Sequence, residues 1–227
     1  MHARPRHARP RHASLALPLV LLLLLGVRPA SAAEDPVRLM AFGDSLIHGY
    51  GLPAGETFPD QLEAALRDEG HGVEVINAGS SGDTSAAGRA RLVWNLSEEP
   101  DAVILLLGAN DGLRGLEPAE TRRNLEAMLA TLAAEEIPVL LAGMLAPPNL
   151  GAEYGTEFKA VYRELAEAHD VVFYPFFLEG VAAEPALNQD DGMHPNAAGV
   201  ATIVDSILPK VHELLERVRA GPAGDDG

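Results

Sequence analysis

The chain contains the stretch Val103-Ile104-Leu105-Leu106-Leu107-Gly108-Ala109-Asn110-Asp111, in which five consecutive apolar residues run into a polar turn. A short apolar run that ends in turn residues is typical of a strand buried on both faces, as in a parallel sheet. Four further runs of this kind are present, at Val37–Phe42, Val73–Ile76, Val139–Ala142 and Val171–Tyr174. The sequence therefore predicts five buried strands, the third of them at Val103–Leu107.

Longer amphipathic stretches separate these strands and predict helices. They are Thr57–Glu69, Thr84–Leu96, Pro118–Glu136, Phe158–His169 and a last helix from about Asn196 to Arg219. Pro209 lies inside the last one, and its missing N–H predicts a kink or a break there. Strands that alternate with helices predict right-handed crossovers and a parallel sheet covered by helices on both faces, which is an α/β fold of three layers.

The first 32 residues have the pattern of a secretory signal peptide. A basic His- and Arg-rich start is followed by the apolar run Leu15–Leu25 and by Ala30-Ser31-Ala32. We therefore predict a leader at 1–32, one domain at 33–219, a flexible tail at 220–227, and a periplasmic or secreted protein. A retained membrane anchor is the alternative, although the run is short for a membrane span and Pro18 interrupts it.

Charge and cysteine content narrow the functional classes. The net charge is −16, and the leader carries five Arg and no acidic residue, so its removal would leave a chain of about −21. Such a surface repels nucleic acid and anionic membranes. We therefore expect a small neutral or cationic substrate, no nucleic-acid partner and no stable membrane anchor after leader cleavage. The chain has no Cys, which excludes disulfides and thiolate catalysis.

Three chemically useful residues follow the first three predicted strands. Ser45 comes after the first strand, Gly82 after the second and Asn110 after the third. Ligands of open α/β sheets bind outside the carboxyl ends of the strands, so the three segments are expected to converge.

Ser45 and the pair Asp191 and His194 have the residue types of a nucleophile, an orienting carboxylate and a general base. A serine hydroxyl needs a base, and the i, i+3 spacing lets the carboxylate reach the imidazole. Pro195 would then open the last helix. Taken singly, Ser45 is better explained as a helix cap and the Asp-Gly-Met-His segment as a surface turn. Asp190 is the alternative orienting carboxylate.

The Ser45 amide, Gly82 and Asn110 are candidate donors to a developing oxyanion. A glycine amide can approach a substrate without a Cβ in the way, and the Asn side chain adds an N–H donor. Gly79 is an alternative to Gly82 as the glycine whose amide binds the oxyanion. Asn110 is also explained by a turn at the strand end.

The motifs around these residues resemble the SGNH (GDSL) hydrolases, in the bacterial arylesterase, acyl-CoA thioesterase I and lysophospholipase subgroup. They are Gly43-Asp44-Ser45-Leu46, Asn77-Ala78, Ser81-Gly82-Asp83-Thr84-Ser85, Gly108-Ala109-Asn110-Asp111-Gly112-Leu113-Arg114-Gly115, Tyr174-Pro175-Phe176-Phe177 and Gln189-Asp190-Asp191-Gly192-Met193-His194-Pro195-Asn196. The resemblance covers essentially the whole chain after the leader, and the one departure noted is Ala109 in place of a Gly. It implies a flavodoxin-like fold, an acyl-ester hydrolase with the roles given above, and no metal or organic cofactor. No His, Asp or Glu residues cluster along the sequence with metal-ligand spacing.

The acyl pocket is expected from the segments after the third and fourth strands. The candidate substrate-binding residues are Leu113, Arg114, Met144, Leu145 and Pro147. Residues 112–116 are interpreted as a mobile segment, and Tyr174–Phe177 as core. Two alternatives to an acyl-ester hydrolase stay open, a carbohydrate O-acetylesterase and an inactive binding module.

Overall fold

The computed structural model describes residues 35–221, together with His2. The predicted leader, apart from His2, and residues 222–227 of the predicted tail lie outside these residues. Within 35–221 one sheet is formed, and its five strands are all parallel. They are β1 (Val37–Gly43), β2 (Val73–Gly79), β3 (Ala102–Leu106), β4 (Val139–Ala142) and β5 (Val172–Tyr174). The five predicted strands are confirmed, with ends that differ by at most three residues, although β2 at the sheet edge is only partly buried.

The order of the strands across the sheet is β2-β1-β3-β4-β5. The chain moves from β1 outward to β2 and then returns past β1 to β3. The order therefore reverses at the carboxyl ends of β1 and β3, where the diverging connections leave a crevice. The first three predicted functional segments all emerge at this edge.

Seven helices connect or follow the strands in the described part. They are α1 (Ser45–His48), α2 (Phe58–Asp68), α3 (Ser85–Asn95), α4 (Ala109–Leu113), α5 (Pro118–Ala134), α6 (Ala152–Ala168) and α7 (Ala197–Ala220). Helices α2 and α7 pack against each other, while α3, α5 and α6 form the second group. Right-handed crossovers place these groups on opposite faces of the sheet, which confirms the predicted three-layer α/β/α architecture.

The core lies on both faces of the central strands. Every residue of β3 and β4 is buried, as are Leu39–Gly43 of β1. Large aromatic side chains such as Phe42, Phe58 and Phe158 fill the space between the sheet and the helices. Burial of this continuous apolar surface stabilises the sheet and fixes where its strands end.

The prediction for the start of α6 was wrong, and so was the prediction that Pro195 opens the last helix. Helix α6 begins at Ala152, six residues before Phe158, because its first turns are mostly exposed and show no apolar periodicity. Helix α7 begins at Ala197 with Asn196 as its N-cap, whose side chain accepts from the Gly199 amide, so Pro195 lies before the helix. The short helix α4 contains Asn110, for which the sequence also allowed a turn, and the first two residues of the segment 112–116 that was interpreted as mobile.

Helix α7 continues through Pro209 without a break. Pro209 cannot donate to the Asp205 carbonyl, but both residues are on the exposed face of the helix, where water can satisfy that carbonyl. The helix also includes Ala220, which the sequence placed in the tail.

Candidate active site

The predicted nucleophile, base and carboxylate lie in a hydrogen-bonded line. The His194 Nε2 atom is 2.9 Å from the Ser45 Oγ atom, and the His194 Nδ1 atom is 2.6 Å from an oxygen of Asp191. Both distances are within the range for hydrogen bonds. Asp190, the alternative carboxylate, is exposed and makes no contact of this kind.

Asp191 is held as an ionised acceptor. Its carboxylate accepts from the backbone N–H groups of His194 and Met193, at 3.0 and 2.9 Å, as well as from the imidazole. These bonds, the one from the His194 amide first, lower the pKa of Asp191 to about 2. A carboxylate that stays ionised at neutral pH keeps the proton of a neutral imidazole on Nδ1 and leaves Nε2 free to accept a proton.

The segment that carries His194 is braced on both sides. Asn188 pairs with Pro195 in a β-bridge, and the Gln189 amide donates to the His194 carbonyl at 2.8 Å. The Gln189 side chain donates to the carbonyl of Tyr50, whose ring centroid lies 4.7 Å from that of His194. The imidazole is therefore positioned by contacts from two distant parts of the chain.

Two backbone amides of the site, those of Ser45 and Gly82, donate no hydrogen bond within residues 35–221. Gly82 has φ = 86° and open space where a Cβ would stand, whereas a Cβ on Gly79 would lie 2.1 Å from the His48 backbone. The structure thus gives Gly79 a packing role and leaves Gly82 open to the crevice.

The Asn110 side chain completes this group of donors. Its Nδ2 donates to the Asp83 carbonyl at 3.0 Å and lies 3.4 Å from an oxygen of Asp44. The first contact orients the amide, while the second is long and leaves its hydrogen available for a stronger acceptor.

Asp44 is a buried carboxyl beside this site. It accepts from the Leu46 amide and so caps α1. Burial raises the pKa of Asp44 to about 6, against the opposing effect of that hydrogen bond.

Arg91 on α3 connects the ends of β1 and β2 and was not identified from the sequence. It donates to the carbonyls of Gly43 and Ala78, at 2.7 and 2.9 Å, and to the Asp83 carboxylate at 2.7 Å. Its guanidinium also lies 4.1 Å from the centroid of the Phe42 ring. One positively charged side chain therefore braces both the Gly43 carbonyl, next to Asp44, and the Asp83 carboxylate, next to Gly82.

Asp111 makes a second brace that the sequence did not reveal. Its buried carboxylate accepts from the Ser85 amide at 2.8 Å, from the Ser85 hydroxyl at 2.5 Å and from the Thr121 hydroxyl at 3.1 Å. It ties α4 to the starts of α3 and α5, and so fixes Asn110 relative to the Gly82 segment.

A cavity of about 830 Å³ opens beside Ser45, Asn110 and His194. Four of the five predicted substrate-binding residues line it, namely Leu113, Met144, Leu145 and Pro147. Arg114 does not line it, because its guanidinium is drawn to the Gly82 carbonyl, at 2.9 Å. Phe176 and Leu178, beyond β5, also line the cavity. The interpretation of Tyr174–Phe177 as core is confirmed for Tyr174 and Phe177 and incomplete for Phe176, which packs against the core and also lines the cavity.

None of the helices among the described residues is both long enough and apolar enough to cross a membrane.

Known proteins similar to this chain are hydrolases. A family model described as GDSL-like lipase/acylhydrolase matches residues 41–201. The chain is 41% identical over 178 residues to esterase TesA of Pseudomonas aeruginosa, covering 78% of this chain and 89% of that protein. It is 38% identical over 200 residues to thioesterase 1/protease 1/lysophospholipase L1 of Escherichia coli strain K12, and the match covers 88% of this chain and 93% of that protein. The crystal structure of AlinE4, an SGNH-hydrolase family esterase, matches with a TM-score of 0.68 and 48% identity, over 84% of this chain and 99% of that one.

Proposed function

Since this chain belongs to the GDSL-like lipase/acylhydrolase (SGNH) family of ester hydrolases, we propose that it cleaves acyl esters with Ser45, His194 and Asp191 as its catalytic triad. The observation that carries the proposal is the line of hydrogen bonds from Ser45 Oγ through His194 to Asp191, at 2.9 and 2.6 Å, at the mouth of the cavity.

In the first half of the reaction, His194 Nε2 takes the proton of Ser45 Oγ while the oxygen attacks the acyl carbonyl carbon. Asp191 keeps its negative charge and stabilises the imidazolium that forms. The C–O or C–S bond of the tetrahedral intermediate then breaks, and the leaving alcohol or thiol takes the proton from His194. The acyl group stays on Ser45 until water, activated by the same imidazole, releases it as a carboxylic acid.

The amides of Ser45 and Gly82 and the side chain of Asn110 stabilise the negative oxygen of both intermediates. The two backbone amides have no acceptor within residues 35–221, so they bind the oxyanion without first breaking a bond. Donors fixed in this way are among the largest contributions to the rate of acyl transfer.

The substrate class follows from the cavity and from charge. Its volume of about 830 Å³ and its lining of Met144, Leu145, Pro147 and Phe176 suit an acyl chain of medium or greater length. The net charge of −16 disfavours a polyanionic leaving group such as coenzyme A. Neutral or zwitterionic esters, including lysophospholipids and aryl or alkyl esters, are the preferred substrates. The leader-like residues 1–32 support export to the periplasm or the medium.

The test is hydrolysis of p-nitrophenyl esters from acetate to palmitate by the wild type, by Ser45→Ala and by Ser97→Ala, a matched control at an exposed serine of a short 3-10 helix. We expect a rate that peaks beyond acetate, falls by at least about 10⁴-fold in Ser45→Ala and is unchanged in the control. Full activity in Ser45→Ala would refute the triad. A Ser45-dependent rate confined to acetate would instead support an O-acetylesterase.

A fluorophosphonate probe separates an inactive binding module from an enzyme with an untested substrate. It should add covalently to one serine of the wild type, seen as a mass increase that maps to Ser45, and should fail to react with Ser45→Ala. An intact protein that never reacts would contradict an activated nucleophile.

A further inference from the structure

Three side chains with metal-binding atoms meet near the amino end of β2, away from the carboxyl edge that holds Ser45. Glu69 caps the end of α2, His71 lies two residues before β2, and His212 is on α7. One potential ligand atom from each lies within 4.8 Å of the other two, and no other group of three such residues was found in the part of the chain that the structure describes. We propose that these residues form a surface site for a divalent cation of the zinc type.

The ligand set and its geometry fit such an ion. Two imidazoles and one carboxylate are a known set of three protein ligands for Zn²⁺, with a fourth position left for water. The Oε2 atom of Glu69 lies 2.6 Å from His212 Nε2 and 3.9 Å from His71 Nε2. Tetrahedral zinc with bonds of about 2.0–2.1 Å separates its ligands by roughly 3.4 Å, between these two values.

Small side-chain rotations are therefore enough to form the site. The side chains of Glu69, His71 and His212 are 42%, 24% and 38% exposed, so none is locked in the core. The rings of the two histidines are already neighbours, with centroids 5.4 Å apart. An ion can enter from solvent, and the acidic surface of the protein favours its approach.

Arg219 competes with the cation for this site. Its guanidinium donates to His71 Nδ1 at 2.8 Å, which leaves the proton of a neutral His71 on Nε2. A metal on Nε2 requires the opposite tautomer, with the proton on Nδ1, and the guanidinium must then move away. Arg219 makes no ion pair with a carboxylate within residues 35–221, so little else holds it in place.

A bound ion would join elements that are distant in the chain. Glu69 and His212 are 143 positions apart, which is why the linear spacing of the sequence revealed no metal site. The ion would link the α2–β2 turn to α7 and replace the hydrogen bond between Glu69 and His212. Because the site is remote from Ser45, its effect is on stability rather than on ester cleavage.

The test is calorimetric titration of the untagged full-length chain with Zn²⁺, alongside His71→Ala, His212→Ala, Arg219→Gln and the control His169→Ala. We expect one site in the wild type and in the control, and an affinity at least tenfold lower in His71→Ala and His212→Ala. Arg219→Gln should raise the affinity several-fold, because it removes the positive charge and leaves a shorter, neutral side chain beside His71 Nδ1. A hundredfold excess of Zn²⁺ over Kd should raise Tm by about 8 °C in the wild type and not in His212→Ala.

Two controls make the result decisive. His2, His7 and His12 are present in every variant, so only differences between variants are assigned to the site. One equivalent of Zn²⁺ should leave p-nitrophenyl ester hydrolysis unchanged, whereas an ion on His194 would inhibit it. Equal zinc affinity in the wild type and in His212→Ala, or no binding to either, would overturn the proposal.

Discussion

Arg91→Met is expected to destabilise the protein and to slow catalysis although Arg91 does not face the cavity. The substitution keeps an apolar stem against Phe42 but removes every donor of the guanidinium. The carbonyls of Gly43 and Ala78 and the carboxylate of Asp83 then lose their partner. The side chains of Arg91 and Asp83 are only 23% and 16% exposed, so water replaces these bonds incompletely.

The size of the effect follows from those contacts. A hydrogen bond to a charged group contributes about 1.5–3 kcal/mol, and the partial exposure of the group lowers this figure. Three such bonds, each weakened by partial exposure to water, correspond to a loss of about 3 kcal/mol in the free energy of unfolding. For a domain of this size this lowers Tm by roughly 9 °C. Because Gly43 precedes Asp44 and Asp83 follows Gly82, we also expect about a tenfold lower kcat with little change in KM.

Urea denaturation monitored by circular dichroism and steady-state hydrolysis of a p-nitrophenyl ester measure the two effects. Arg89→Met is the matched control, because Arg89 lies on the same helix and makes one exposed hydrogen bond of 3.4 Å to Asn124. Arg91→Lys should recover part of the stability, since an ammonium reaches some of the same acceptors but lacks the planar fork. If the free energies of unfolding of Arg91→Met and of the control Arg89→Met differ by less than about 0.5 kcal/mol, Arg91 does not brace the site as proposed.

Three further predictions concern the site and its cavity. Asn110→Ala should lower kcat by about 10²–10³-fold at unchanged Tm, and an unchanged kcat would remove Asn110 from the oxyanion donors. The pKa of Asp44 is raised to about 6, so the folded state binds more protons than the unfolded state between about pH 4 and pH 6. The free energy of unfolding of the wild type, relative to that of Asp44→Asn, should therefore fall by about 3 kcal/mol as pH rises through that window. Urea titrations of both proteins at each pH measure this difference. A difference that does not change with pH would contradict the raised pKa of the buried Asp44 carboxyl. Met144→Trp should fill part of the cavity and move the preferred p-nitrophenyl ester to a shorter chain, and an unchanged profile would place the acyl chain elsewhere.

The sequence predicted those features of the fold that depend on local pattern. Apolar runs located all five strands, because β3 and β4 are buried on both faces and each run is bounded by turn residues. The predicted positions of Ser45, Gly82 and Asn110 at strand ends also follow from the local pattern together with the rule for parallel sheets. Helix α6 was misplaced at its start for the same reason, since its first exposed turns carry no apolar signal.

The features that the sequence did not reveal all depend on long-range contacts. Arg91 has the appearance of an ordinary helix residue until β1 and β2 bring Gly43 and Ala78 within its reach. Phe176 was assigned to the core because an apolar side chain beyond a strand has the same pattern whether it meets protein or an open cavity. His71 and His212 are isolated along the chain and become neighbours only when α7 packs against α2.

Part of the cavity wall is built by a connection that carries none of the proposed reacting groups. Met144–Pro148 follow β4, whereas the proposed reacting groups follow β1, β2 and β3 or lie between β5 and α7, in the connection that also carries Phe176 and Leu178. Mutations in the wall can therefore accumulate in a lineage without passing through an inactive ancestor. After a gene duplication, the two enzymes can diverge in the esters that they cleave while both keep the same catalytic residues.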